Sequence, residues 1–174
     1  EGFNHRHTIQ YLPETSKPIT IKRFFDRMSH FIKNDSIVIA ETGVSLFSVA
    51  EMLMPEGVTF IGQTFYGSIG YTVGATLGAS IASKERPVIS FIGDGAFQVT
   101  CQDLSTIIRN NLNPVIFLMN NDGYTIERVI CDHPYNDIQP WHYHKLVEAF
   151  GGGLSLDVRT EGELEIAIEK AGNA

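Results

Sequence analysis

Val88-Ile89-Ser90-Phe91-Ile92 runs straight into Gly93-Asp94-Gly95, and the reading of this stretch decides the fold. The run is short, almost wholly apolar and without alternation, as strands buried on both faces of a parallel sheet are. Further along, Val115-Ile116-Phe117-Leu118-Met119 leads in the same way into Asn120-Asn121. Two loops that leave one edge of a parallel sheet lie side by side, and open α/β sheets bind ligands outside the carboxyl ends of their strands. An Asp carboxylate beside an Asn amide oxygen is a hard-oxygen pair, suited to Mg²⁺ bridging a diphosphate. Gly95 lets the backbone come close to a phosphate.

The segments around this pair alternate between strand and helix. Thr20 can cap a helix reaching about Lys33, with Phe24, Phe25, Met28, Phe31 and Ile32 at helical spacing. Ser36 to Ala40 reads as a strand that opens into Glu41-Thr42-Gly43. Leu46 to Leu53 reads as a short helix and Val58 to Ile61 as a short strand. Ile69 to Ala82 reads as a small-residue helix whose Gly70, Gly74 and Gly78 offer a smooth packing face. A helix over Gln102 to Arg109, one starting near Tyr124 and one over His142 to Phe150 are expected. A strand over Leu154 to Val158 and a helix over Glu161 to Ala171 complete the series. The expected architecture is α/β: a parallel sheet flanked by helices on both faces.

The chain has 174 residues, 43% of them hydrophobic, enough for one domain with a core. No apolar run reaches the roughly 18 residues of a membrane span, and no signal peptide is visible, so no membrane partner is expected. A net charge of −7 argues against nucleic acid as a partner. With no basic cluster, any phosphate here must be held by backbone groups and a metal. Cys101 and Cys131 fit neither a zinc site nor a redox pair; they read as reduced thiols, and a cytoplasmic protein is expected. Residues 1–17 read as a linker from a preceding domain, and 18–174 as a domain cut short at its C-terminal end. Gly172-Asn173-Ala174 reads as the cap of the last helix.

Between Gly95 and Asn120 lie residues 96 to 119, a gap of 24. Gly-Asp-Gly and Asn-Asn at this separation, each ending an apolar strand, resemble the cofactor motif of thiamine diphosphate enzymes. Glu41-Thr42-Gly43, Tyr66-Gly67-Ser68-Ile69-Gly70 and Asn120-Asn121-Asp122-Gly123-Tyr124-Thr125-Ile126-Glu127 are similar to the diphosphate-binding domain of the pyruvate and indolepyruvate decarboxylases. Tyr135-Asn136-Asp137-Ile138 with Trp141 resembles the bacterial indolepyruvate, phenylpyruvate and branched-chain members. Cys131-Asp132-His133-Pro134 departs from the family, whose corresponding loop is longer and contains a His-Gly pair.

The resemblance implies a thiamine diphosphate-binding fold and the cofactors thiamine diphosphate and Mg²⁺. It implies the C-terminal domain of a non-oxidative decarboxylase turning a 2-oxo acid into an aldehyde and CO₂. The metal ligands implied are the Asp94 carboxylate, the Asn121 amide oxygen and the Gly123 carbonyl. Gly93, Gly95, Ala96 and Phe97 are implied at the phosphates, with Tyr124 and Thr125 on the following loop and Asn120 in support. Thr42 and Gly43 would face the pyrimidine ring, with Gly67 and Ser68 beside it. Gly67 would offer its carbonyl to the exocyclic amine, and Ile69 would prop the cofactor from below. Glu127 is the implied catalytic carboxyl, for proton transfer at the reacting carbon, and is expected to be buried beside the diphosphate. The activating glutamate and the family's paired histidines belong to a pyrimidine-binding domain, the implied partner within a dimeric or tetrameric homo-oligomer.

On the residues alone other readings stay open. Asp94 and Asn121 fit turn or cap residues, Glu127-Arg128 a solvated pair on a helix, and Ile69, Tyr124 and Ile126 core packing. Trp141 and Tyr143 fit a structural cover as well as a subunit contact or a closing loop. An acetolactate synthase or carboligase relative would share the metal motif, and the chain alone could be a non-catalytic diphosphate and Mg²⁺ module. A Rossmann nucleotide binder is disfavoured, because no Gly-x-Gly-x-x-Gly follows the first strand.

Overall fold

The computed structural model describes residues 10–172. Four strands form one sheet in the order β2-β1-β3-β4, with β1 Ile37–Ala40, β2 Thr59–Gly62, β3 Val88–Gly93 and β4 Val115–Met119. All three pairings are parallel. The register sets Ala40 against Phe91 and Gly93 against Met119, so the loops after β1, β3 and β4 emerge along one edge. β1 is followed by β2 on one side and β3 on the other. The crevice between their carboxyl ends is therefore the switch point of the topology, the place where open α/β sheets hold ligands.

Alternation along the central strands builds a core on each face. Val38, Ala40, Ile89 and Phe91 point to one side, where they pack with α1 (Ile21–Phe31), α2 (Val44–Ala50) and α8 (Glu161–Gly172). Rings dominate there: Phe91 stacks on Phe117 with centroids 5.4 Å apart, and Phe24 meets both edge-on. Ile37, Ile39, Val88 and Ile92 point the other way, toward α3 (Thr72–Ala82), α4 (Asp94–Thr100) and α5 (Asp103–Arg109). Leu146 of α7 (Tyr143–Ala149) packs against that second core. α6 (Thr125–Ile130) buries none of its residues.

At the opposite edge of the sheet Arg86 fastens the loops together. Its Nε donates to the Asp35 carbonyl at 2.7 Å, and its Nη2 to the Gly57 carbonyl at 3.0 Å and the Thr59 hydroxyl at 2.9 Å. Near the start of the described chain, residues 11–17 lie against α1 and α8. The buried Glu161 accepts from Arg23 (2.7 and 2.6 Å), the Glu14 amide (2.7 Å) and the Tyr11 hydroxyl (3.3 Å). Arg23 also stacks over the Tyr11 ring at 4.5 Å, and Pro18 forms an antiparallel bridge with Thr160.

Three expectations change. No strand forms over Leu154–Val158. The segment is entered through Gly151, Gly152 and Gly153, all at positive φ, and Leu154 and Leu156 face outward while only Val158 packs on the core. α3 starts at Thr72 rather than Ile69, because Gly70 at φ 87° is outside helical space. Its smooth face is also shorter: a Cβ on Gly70 or Gly74 would meet Val99 or Asp103, but one on Gly78 would meet nothing within 4 Å. Asn173 and Ala174 of the expected terminal cap, and residues 1–9 of the expected linker, lie outside the described residues.

Candidate functional site

Gly93 ends β3 with extended backbone and Asp94 opens α4, so the carboxylate is fixed at a strand-to-helix turn. Asp94 is 1% exposed. Its Oδ1 accepts from the Gly95 amide at 2.7 Å, and its Oδ2 from the Gly123 amide at 3.1 Å. Burial pushes the Asp94 carboxyl up. The amides of Gly95, Gly123 and Asp122 pull it down, and the Asp122 charge adds to the rise. No basic side chain is bonded to it among the described residues; its hydrogen bonds there come from backbone N–H groups.

The loop after β4 closes over this carboxylate. Asp122 and Gly123 both take positive φ, 61° and 111°, which turns the Gly123 amide toward Asp94. A side chain at 123 would collide with the Asn136 carbonyl, 2.6 Å from where its Cβ would stand. That carbonyl accepts from the Tyr124 amide at 3.1 Å, and the buried Asn136 side chain donates to the Cys131 carbonyl at 2.8 Å. The loop is thus clasped by the 3-10 turn Pro134–Asn136. The Asn121 Nδ2 donates to the Thr125 hydroxyl at 2.7 Å, while its Oδ1 is buried without a hydrogen-bond partner. The Gly123 carbonyl accepts from the Thr125 amide at 2.9 Å. Ala96 is buried behind Asp94, and Asn120 is exposed at the end of β4.

Across the switch point the loop after β1 meets the segment that precedes α3. The Thr42 hydroxyl is shared between the Gln63 carbonyl at 2.8 Å and the Ser68 carbonyl at 3.2 Å. Gly67 takes φ 61°, and Ile69 is 40% exposed beside it. Gly43, at φ 114°, lies against α6, with Ile126 Cγ1 3.6 Å from where its Cβ would stand. Glu127 follows Ile126 on α6 and is exposed in this chain, so the expected burial is not found. Trp141 and Tyr143 are in ring contact at 6.1 Å, and the Tyr143 hydroxyl accepts from Gln98 of α4 at 2.9 Å.

The structure therefore brings Asp94, Gly95, Asn121, Gly123, Tyr124 and Thr125 into one cluster and Thr42, Gly43, Gly67, Ser68 and Ile69 into a second. Sequence reasoning passed over Glu41, Tyr71 and Asn136, which hold these loops; a carboxylate ending an apolar strand was the available signal for Glu41.

Residues 41–174 match the family described as thiamine pyrophosphate enzyme, C-terminal TPP binding domain. The chain belongs to that family. Pyruvate decarboxylase 3 of Arabidopsis thaliana is 48% identical over 159 residues, covering 89% of this chain and 27% of the relative. Pyruvate decarboxylase of Aspergillus fumigatus is 50% identical over 142 residues, 79% of this chain and 25% of the relative. An alpha-keto-acid decarboxylase of Mycolicibacterium paratuberculosis is 44% identical over 159 residues, 89% of this chain and 28% of the relative. The chain thus spans little more than a quarter of the length of these curated relatives. The thiamine diphosphate-dependent 4-hydroxybenzoylformate decarboxylase of Rhodococcus jostii RHA1 shares the fold, with a TM-score of 0.76 at 21% identity over 94% of this chain and 33% of that one. As a member of the TPP-binding family the chain carries the α/β fold expected of it, and its curated relatives are named as decarboxylases.

Proposed function

We propose that this chain is the diphosphate-holding domain of a thiamine diphosphate-dependent 2-oxo-acid decarboxylase, with Mg²⁺ between Asp94, Asn121 and Gly123. The supporting observation is the Asn121 Oδ1, a buried acceptor with no hydrogen-bond partner, on the loop whose Gly123 amide bonds the buried Asp94 carboxylate. Leaving such an acceptor unsatisfied costs about 1–3 kcal/mol, and a hard cation is the partner that one carboxylate, one amide oxygen and one carbonyl suit. Among the described residues no three His, Cys, Asp or Glu side chains converge on a metal. That fits a site whose remaining ligands come from the backbone and the bound diphosphate.

Gly93, Gly95 and Ala96 are assigned to the phosphates, with Tyr124 and Thr125 shaping the loop around them. Thr42, Gly43, Gly67 and Ser68 are assigned to the pyrimidine side, with Ile69 as the prop beneath. Holding an amine close to a reacting carbon can contribute several kcal/mol. When bound, the thiazolium ring stabilises the carbanion that loss of CO₂ leaves. Glu127 is assigned the proton transfer at that carbon. Its exposure here agrees with a site completed by a pyrimidine-binding domain of a homo-oligomer, which would cover α6. The substrate class is a 2-oxo acid; pyruvate and larger aryl or branched acids fit the reading equally.

Titration calorimetry with Mg²⁺ and thiamine diphosphate tests the assignment in the full-length protein. Saturable, Mg²⁺-dependent binding that Asp94→Ala abolishes is expected. Equal binding by wild type and variant removes Asp94 from the metal site.

A further inference from the structure

Glu41 is the one fully buried side-chain carboxylate at the switch point that the proposed roles leave unused. It is 0% exposed and no cation is bonded to it among the described residues. Its Oε1 accepts from the Thr42 amide at 3.1 Å, and its Oε2 from the Gly70 amide at 3.2 Å and the Thr72 amide at 3.4 Å. Its three hydrogen bonds come from backbone N–H groups, and the Thr72 hydroxyl adds to their pull on the charge. A buried charge with no cation bonded to it is costly to keep, and burial does push the Glu41 carboxyl up against the pull of the Thr72 hydroxyl and the Thr42, Thr72 and Gly70 amides. The Thr72 amide opens α3, whose own N-cap residue, Tyr71, makes no side-chain cap bond. Glu41, the residue that follows β1, thus supplies the anionic cap that α3 lacks.

Gly70 is held from the other side as well. Its carbonyl accepts from the Thr100 hydroxyl at 2.6 Å, and a Cβ on it would stand 2.7 Å from the Val99 Cγ1. Val99 and Thr100 end the helix that Asp94 begins. The Tyr71 hydroxyl closes the frame, donating to the Ala40 carbonyl and accepting from the Gln63 amide at 3.0 Å. A continuous path therefore runs from Glu41 through Gly70 and Thr100 to the helix carrying the metal-side carboxylate.

We infer that Glu41 is a positioning residue: through Gly70 it sets where the Gly67–Ile69 segment stands relative to α4, and so joins the pyrimidine side of the site to the metal side. This rests on the proposed reading of the site. Glu41→Gln probes it sharply, because one oxygen becomes an NH₂ group facing backbone N–H donors. Hydrogen exchange and kinetics are read on the full-length protein. Exchange over residues 63–72 is expected to rise roughly tenfold or more while residues 94–100 and 115–123 keep their protection. Cofactor affinity and substrate KM hold, while kcat falls on the order of 10²-fold, as misplacement by about 1 Å can cause. Wild-type exchange over 63–72 overturns the inference, as does a loss in which kcat, KM and cofactor affinity change together. Should Glu41→Gln loosen the whole domain, Thr100→Val decides from the other end of the path: selective opening of 63–72 supports it, unchanged exchange there overturns it. If the wild type binds no thiamine diphosphate, the functional reading fails, and the exchange pattern still tells whether Glu41 holds the segment.

Discussion

The Tyr124 ring fills the space that a side chain at position 95 would need: its Cε1 lies 2.6 Å, and its Cδ1 2.8 Å, from where a Cβ on Gly95 would stand. The glycine is required by a close approach between the first turn of α4 and the loop after β4, since its φ is not in the left-handed region. Gly95→Ala must push the Tyr124 ring aside, and Tyr124 is the N-cap residue of α6. Overpacking of this kind costs about 1–3 kcal/mol. A urea unfolding midpoint lowered to match, together with weaker cofactor binding by calorimetry, is the expected result.

Asn121→Leu separates ligand binding from stability. The substitution removes the unpartnered Oδ1 and also breaks the 2.7 Å bond to Thr125. A lost neutral hydrogen bond costs about 1 kcal/mol, and relief of a buried unsatisfied acceptor offsets about as much. Stability without ligands should stay close to that of the wild type in urea melts, while Mg²⁺-dependent cofactor binding disappears. Retained binding would remove the amide from the metal site.

Glu127→Gln should spare binding and damage turnover. The side chain is exposed on α6 and away from the Asp94 bonds, so Mg²⁺ and cofactor affinity should not move. Loss of a proton-transfer group lowers rates by about 10²–10⁴-fold. Steady-state decarboxylation of pyruvate by the full-length protein reads kcat. A parallel loss of cofactor affinity would point to a binding role instead.

Acid should release the segment over residues 11–17. The Arg23 bond, then the Glu14 amide, hold Glu161 down from 4.5 to about 2. The fold thus prefers the ionised carboxylate. Its contribution is complete above the ordinary carboxylate range and is lost as pH falls from 4.5 toward about 2. Thermal melts across that interval should decline less steeply for Glu161→Gln than for wild type. At neutral pH the variant should melt lower, with Arg23 left without its carboxylate partner. Identical pH profiles would show that the bond contributes nothing to stability.

Much of this was legible beforehand because the informative residues act locally. Val88–Ile92 and Val115–Met119 announce strands by their almost wholly apolar character, and both strands form there, the first buried and the second, at the edge of the sheet, half-buried rather than buried as expected. Phe24, Phe25 and Met28 at helical spacing announce α1, all three buried on one face. The helix over Asp94–Thr100 was missed because Gly-Asp-Gly reads as a loop, whereas Gly93 serves as its N-cap residue. The Leu154–Val158 error has the opposite cause: an alternating apolar pattern suits a strand, but no neighbour pairs with it here. Glu41 was invisible as a support because its partners Gly70 and Thr72 lie 29 and 31 residues away. Asp94 and Gly123 are as far apart, yet each sits in a recognisable half of one motif.

The Glu161 knot has a mechanical meaning. It ties Tyr11, Glu14 and Arg23 to the start of α8, and the Pro18–Thr160 bridge lies close behind. Tension applied along the chain at residue 10 would load these bonds before any strand of the sheet. A force probe attached at residue 10 should register the knot's rupture as an event separate from unfolding of the sheet.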